Sequence, residues 1–167
     1  MEEKIIKGIK YRLNEEILTA EVIRKRGYSG DIVIPKVVVY KKVSYKVTSI
    51  ERNAFFNCKS LTSITIPNSI ATIERQTFCK CINLESFNCK YSTTDNRCLI
   101  IDGELLAFAP CGLTEYTIPD NVTTINNHVF SDCRNLQKIV IPNSVTKIGE
   151  YSFSWCIPAS ISLQYCR

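Results

Sequence analysis

Histidine, methionine and tryptophan each occur once in the 167 residues, at His128, Met1 and Trp155. With a single imidazole, acid–base chemistry near neutral pH would rest on His128 alone. No apolar run approaches the roughly 18 to 20 residues of a spanning helix. The opening Met-Glu-Glu-Lys is too acidic and polar for a signal peptide. Gly-x-Gly-x-x-Gly, P-loop and His-Glu-x-x-His patterns are missing, which removes the phosphate-cofactor and zinc-protease templates. The expectation is a soluble chain without membrane insertion, not an enzyme, and with neither cofactor nor metal.

What is present suffices for a core. Hydrophobic residues make up 45% and charged residues 22%, and the length suits one domain or one short repeat array. Nine cysteines are too sparse for a disulfide-stapled miniprotein, and their odd number leaves at least one thiol without an internal partner.

Their spacing carries more information. Cys58, Cys81, Cys133 and Cys156 are separated by 23, 52 and 23 residues, and Phe55, Phe78, Phe130 and Phe153 stand three residues before them. Ile-Pro pairs recur in the same period at Ile66-Pro67, Ile118-Pro119 and Ile141-Pro142, with an outlier at Ile34-Pro35. The unit reads Leu-x-x-Ile-x-Ile-Pro-x-x-Val-x-x-Ile-x-x-x-x-Phe-x-x-Cys, a fixed period of the kind that marks stacked repeats. The 52-residue interval is one unit plus 29 residues, in which Leu84, Phe87 and Cys89 take the strand positions. Asp102-Gly103 there suits a two-residue hairpin turn, so one unit carries a hairpin at about 95–110 in place of its return path. The 32 residues from Pro35 to Pro67 are a unit lengthened by nine, with the excess in Val37 to Tyr45.

Alternation turns Ile64 and Ile66 to one face and Thr62, Ser63 and Thr65 mostly to the other. Proline beside the strand has no N–H to give a neighbouring coil and ends the ladder. One such unit encloses no core; a stack of them does.

This unit resembles the BspA-like, or Treponema pallidum type, leucine-rich repeat over about Ser29 to Leu163. VTSIERNAFFNC, from Val47 to Cys58, is an especially close match, and Ile9 to Lys46 resembles the strand-rich lead-in of such arrays. The resemblance implies a mainly β solenoid: a short, curved, right-handed array of units of about 23 residues, with parallel strands on the concave side, a strand-rich N-terminal cap and an inserted β-hairpin. It places the cap and lead-in repeat in 1–46 and the array in 47–167, as one continuous domain. It further implies a non-catalytic protein-binding module, adhering through its concave sheet to a host matrix protein or another surface protein, at the cell surface or secreted. A structural or assembly segment of a larger repeat-containing surface protein is the alternative. With no leader in the chain, a cytoplasmic location stays open. The chain departs from the family in having few repeats, one of them interrupted, and no visible anchor or sorting segment.

Periodic cysteines on adjacent coils would stand about 4.8 Å apart with parallel side chains, beyond the Cβ separation of a disulfide. They read as buried free thiols acting as small hydrophobes. Cys79, Cys89, Cys98, Cys111 and Cys166 break the period, although Cys89 takes an inward strand position. Cys79 and Cys81 form a Cys-Lys-Cys, but zinc takes four ligands, usually in two close pairs, and a second pair is missing. His128 aligns with Asn53, Gln76 and Tyr151 and reads as an exposed, variable residue of a return turn rather than the base of a catalytic thiol. Asn121-Val122-Thr123 is a formal glycosylation acceptor that the repeat positions after Ile-Pro explain without a sugar.

Residues 1–50 hold eleven Lys or Arg and six Asp or Glu, and residues 51–167 hold ten of each, so the whole net charge of +5 lies in the lead-in. A polar end cap with lysine-bearing edge strands accounts for it. Nucleic acid is not the expected partner, because Tyr11, Tyr28, Tyr40 and Tyr45 fit alternating strands as readily as a stacking platform. The outward strand positions form three columns across five strands. They are Gly30, Thr62, Glu85, Thr114 and Gln137; then Asp31, Ser63, Ser86, Glu115 and Lys138; then Val33, Thr65, Asn88, Thr117 and Val140. Small, polar and nearly neutral, these are the expected partner-binding face, suited to broad contact without an aromatic hot spot. The anchor-like side chains are Tyr151 and Trp155, the latter standing where sister units have Asn57, Lys80 and Asp132, and expected to be exposed. After Cys156, Ile161 and Leu163 begin another strand. Unless Tyr165 to Arg167 cap it, its open edge is expected to associate with another chain or to continue into a longer array.

Overall fold

The structure, a computed structural model, describes residues 1–156 and, by their backbone, 160–163; Cys166 and the expected cap at Tyr165 to Arg167 lie outside the described residues. Among the described residues there are strands and turns and no helix. Strands β1 (Glu2–Ile6) and β2 (Ile9–Asn14) pair antiparallel across Lys7-Gly8, whose φ values of 48° and 85° are those of a type I′ turn. Next, β2 pairs antiparallel with β3 (Thr19–Val22), and β3 runs parallel to β6 (Val43–Ile50). Strand β4 (Ser29–Val33) lies elsewhere, while β5 (Val37–Tyr40) folds back onto β6 through Lys41-Lys42, both left-handed at φ 49° and 67°. This second hairpin is the excess of the lengthened unit.

From β4 onward the repeats give strands to two strips. In the longer-strand strip, β4, β7 (Ser60–Thr65) and β9 (Ser86–Asn88) run parallel. A second set, β12 (Glu115–Thr117), β14 (Lys138–Ile141) and β16 (Ser160–Leu163), does the same. The other strip has two-residue strands: β8 (Thr72–Ile73) on β6, and β13 (Thr124–Ile125) and β15 (Lys147–Ile148) side by side. Partners are 23 residues apart where Ser63 faces Ser86 or Glu115 faces Lys138, and 32 where Asp31 faces Ser63.

Both strips break at one place, where β10 (Cys98–Ile101) and β11 (Glu104–Phe108) form the hairpin expected from Asp102-Gly103, with φ values of 49° and 78° at its turn. Strand β11 takes the slot of a short strand, with Leu105 beside Ile125. The hairpin is covered on both faces. Cys98, Leu105 and Phe108 join the cluster of Phe130 and Ile139, while Leu99, Ala107 and Ala109 join that of Phe55, Phe78 and Phe87. Alternation along β10, with a bulge that skips Leu106 between the Leu99–Ala107 and Ile100–Leu105 pairs, therefore divides one hairpin between two cores.

The return turns explain the phenylalanine period. Phe55 stacks on Phe78 with centroids 5.3 Å apart, and Phe130 on Phe153 at 5.2 Å. Phe108, from the hairpin, reaches within 4.9 Å of Phe130. Two residues before each of the four periodic rings, at Asn53, Gln76, His128 and Tyr151, φ is positive. The same holds two residues after, at Asn57, Lys80, Asp132 and Trp155. Asparagine adopts this left-handed conformation readily, whereas a bulky aromatic is strained in it.

Candidate functional site

The two longer-strand sheets carry the residues read as a binding face. Asp31, Ser63 and Ser86 lie side by side, as do Val33, Thr65 and Asn88. Glu115 lies beside Lys138 and Thr117 beside Val140. Glu85 donates its N–H to the Thr62 carbonyl at 2.8 Å, and Gln137 its own to Thr114 at 2.6 Å, so these pairs also adjoin. The columns nevertheless do not run across five strands, which corrects the expectation. The chain on its way into the hairpin comes between β9 and β12: Phe87 N–H donates to the Asn96 carbonyl at 2.8 Å, and Tyr116 O–H to Asp95 Oδ2 at 3.0 Å. The face is two patches.

A second correction concerns Gly30. A bulge between Gly30 and Asp31 sets Gly30 opposite Leu61 rather than Thr62. The Thr62 and Ser63 hydroxyls both donate to Asp31 Oδ1, at 2.9 and 2.7 Å, and these bonds, Ser63 first, hold the Asp31 carboxyl below its ordinary pKa. On the second patch a depression of about 380 Å³ lies over Glu115, Thr117, Lys138 and Val140.

Cys58, Cys79, Cys81, Cys98 and Cys133 are buried in the coil interior, whereas Cys89, Cys111 and the periodic Cys156, expected to be buried, are half-buried. All eight cysteines in the described residues are free. Cys81 Sγ donates to the Phe55 carbonyl at 3.1 Å and Cys156 Sγ to the Cys133 carbonyl at 3.3 Å, so each bonds to the coil before it. Sequence reasoning missed this role, because spacing does not distinguish a filler from a donor. Burial pushes Cys79 up to about 11 and Cys98 up to about 12, and it raises Cys81 and Cys133 as well. Thiols so placed are protonated at neutral pH and poor nucleophiles. His128 is half-buried rather than exposed, since its ring lies parallel to Tyr151 with centroids 5.3 Å apart. Among the described residues no three His, Cys, Asp or Glu side chains are grouped to hold a metal ion, and no helix is long and apolar enough to cross a membrane.

A groove of about 640 Å³ runs along the return turns and ends at Trp155, which is 70% exposed. Asp132 bridges it, 3.3 Å from Lys80 Nζ and 3.1 Å from Arg134 Nη2. Partial burial opposes ionisation of Asp132, but the hydrogen bonds from Arg134 and Lys80 outweigh it and hold the carboxyl below its ordinary pKa. No motif announces this groove. Its trace in the sequence is small: in the hairpin unit Phe108-Ala109-Pro110-Cys111 stands one residue closer to the leucine that follows, Leu113, than Phe78-to-Cys81 or Phe130-to-Cys133 stand to Leu84 or Leu136.

Residues 37–99 and 104–166 match the model of the BspA type leucine rich repeat region, in 6 copies. The interval between the two matches falls at the turn of the inserted hairpin. The fold is similar to that of a leucine-rich repeat protein from T. pallidum, with a TM-score of 0.54 and 25% identity over 92% of this chain and 67% of that one. A leucine-rich repeat protein from Bacteroides ovatus ATCC 8483 gives a TM-score of 0.53 and 24% identity over 92% of this chain and 57% of that one. One from Bacteroides capillosus ATCC 29799 gives 0.50 and 21% over 98% and 99%. The chain thus spans just over half of the B. ovatus structure. Among curated proteins none matches significantly.

Proposed function

We propose that this chain, which belongs to the BspA-type leucine-rich repeat family, is a non-catalytic module that binds a protein partner through the outward residues of its longer-strand strip. Leucine-rich repeat families act in general through protein–protein contact. The observation that supports this face is the register: Asp31, Ser63 and Ser86 align on one patch, and Glu115 and Lys138 on the other. Strands about 4.8 Å apart present these hydroxyls, carboxylates and the ammonium as a regular polar grid. Such a grid suits broad contact in which specificity comes from matched charge. With this reading go a right-handed solenoid of about 23-residue turns, its strip on the concave side, with residues 1–46 as a cap and 47–167 as the array. Adhesion at a cell surface is the role we assign to it.

The test presents immobilised extracellular matrix proteins to the chain and to a variant carrying Glu85→Lys, Glu115→Lys and Lys138→Glu. We expect saturable binding that the triple reversal weakens about tenfold or more, a change of about 1.4 kcal/mol. Equal binding by the variant would remove the strip from the site.

A further inference from the structure

The groove on the return-turn side belongs to neither strip. It opens where the hairpin unit shortens its turn by one residue: counting back from Leu113, whose N–H bonds to the Pro110 carbonyl as that of Leu84 does to Cys81, Ala109 and Pro110 stand where neighbouring coils have Lys80 and Cys81, or Asp132 and Cys133. A long side chain is thereby missing from the row, and Lys80 reaches over the gap to Asp132. The floor is apolar, made by Ile82, Pro110 and Leu136, whereas Lys59, Lys80 and Arg134 stand around it against the single carboxylate of Asp132. In a stretch with ten cations and ten anions, this is a local excess of two positive charges. At one end Phe56 lies under the Arg24 guanidinium, 5.2 Å from the ring centre, which brings a further cation to the groove's edge.

Trp155, at the other end, is the second, independent observation. Its φ of 60° is left-handed, a conformation that costs a residue with a Cβ about 1–2 kcal/mol. Sister position Asn57 meets the same backbone demand with a side chain suited to it. The conformation recurs at Lys80 and Asp132 and belongs to the turn; what sets Trp155 apart is that the turn carries a large aromatic, 70% exposed, beside a cavity, and tryptophan is foremost among interface anchors.

We propose that this groove docks an extended acidic peptide segment of a protein partner. Its carboxylates would be taken by Lys80 and Arg134, and an apolar side chain would lie between Pro110 and Trp155. The apolar floor favours a peptide over a sulfated polysaccharide, which calls for a continuous row of free cations. The amides of Asn57 and Asn135, which border the groove, are suited to bond an extended main chain. This surface is distinct from the strip and does not depend on it.

The experiment selects binders from a random peptide library against the whole chain and measures one synthetic selected peptide by the fluorescence of Trp155, the chain's one tryptophan. We expect acidic residues enriched beside an aliphatic or aromatic one, and a blue shift of Trp155 on binding. Arg134→Gln and Trp155→Asn should each weaken the peptide about tenfold or more, whereas Asp132→Asn, which frees both cations, should tighten it. Asparagine tolerates positive φ, so both asparagine variants keep the turn. Lys138→Glu, on the strip, should leave peptide binding unchanged. Peptides without acidic enrichment, no selected peptide at all, weaker or unchanged binding by Asp132→Asn, or loss with Lys138→Glu but not with Arg134→Gln would each overturn the proposal. So would a heparin oligosaccharide producing the Trp155 shift when no peptide does.

Discussion

Replacing Gly149 with alanine should destabilise the protein, although the local conformation alone suggests a gain. Gly149 follows Ile148 as Glu51, Glu74 and Asn126 follow Ile50, Ile73 and Ile125, so sister coils accept a side chain here. Its φ lies outside the left-handed region. A Gly→Ala change in an allowed conformation gains about 0.4–1 kcal/mol by restricting the unfolded chain. In the fold, however, an added Cβ would lie 2.5 Å from Asn127 N and 2.7 Å from the Asn126 carbonyl carbon, with Asn127 Oδ1 closer still. Two bonds hold these groups together: Gly149 N–H donates to the Ile125 carbonyl at 2.7 Å, and Glu150 N–H to Asn127 Oδ1 at 3.1 Å. Overpacking against such a site costs about 1–3 kcal/mol. With two backbone atoms inside 3.0 Å the cost falls in the upper half of that range, and set against the unfolded-state gain the net loss is about 1–2.6 kcal/mol, a fall in Tm of about 2–10 °C for a chain of this size. Calorimetry and urea unfolding at unchanged m measure it. In an Asn127→Ala background the backbone clash remains, so alanine at 149 should still lower stability. A Gly149→Ala protein as stable as its parent, or more so, would refute the close approach of these coils.

Lys41→Asn together with Lys42→Gly should raise stability by about 1 kcal/mol, read from the urea midpoint, because both residues sit at positive φ in the β5–β6 turn. Phe130→Ala should cost about 3–5 kcal/mol, since the fully buried ring packs on Phe108 and Phe153. Hydrogen exchange in that variant should rise first in residues 113–156, with 47–89 still protected; a uniform loss would show that the two cores unfold as one. Above about pH 9 stability should fall. Cys79 and Cys98, raised to about 11 and about 12, keep their protons in the native state where the unfolded chain has lost them. Their contribution is complete below the unfolded value of 9.0 and is lost as pH rises through the folded ones. Urea titrations at about pH 8 and about pH 10.5 should therefore show a smaller decline for Cys98→Ala than for the parent, and an equal decline would contradict the assignment.

Much of the fold was legible in the sequence because repetition makes local preferences visible together. Ile64, Ile66, Phe55, Phe78 and Cys81 are buried as their period implies, and Asp102-Gly103 turns a hairpin where its chemistry suits one. Lys7-Gly8 and Lys41-Lys42 form the same kind of turn with little signal, since lysine has no preference for positive φ. The short strips went unread because a two-residue strand has no period to detect. The left-handed positions were equally hidden: Asn53 and Asn57 suggest them, but Gln76, Lys80, His128, Tyr151 and Trp155 do not. For the candidate sites, the neighbours within each strip could be listed by register, yet the bulge at Gly30 and the break beyond Asn88 could not.

By itself the sequence determined which strand residues turn inward, where the longer strand ends at Ile-Pro and that the excess charge sits in the first fifty residues. These follow from alternation and from proline's missing N–H, which act within a few residues. Only the tertiary structure decided that the hairpin separates two cores, that the polar face is two patches, and that Lys80 and Arg134 meet at Asp132 beside an open groove. Those outcomes depend on which coils become neighbours. That is settled when long-range strands pair and side chains pack, and residues more than fifty apart in the chain have no local preference through which to express it.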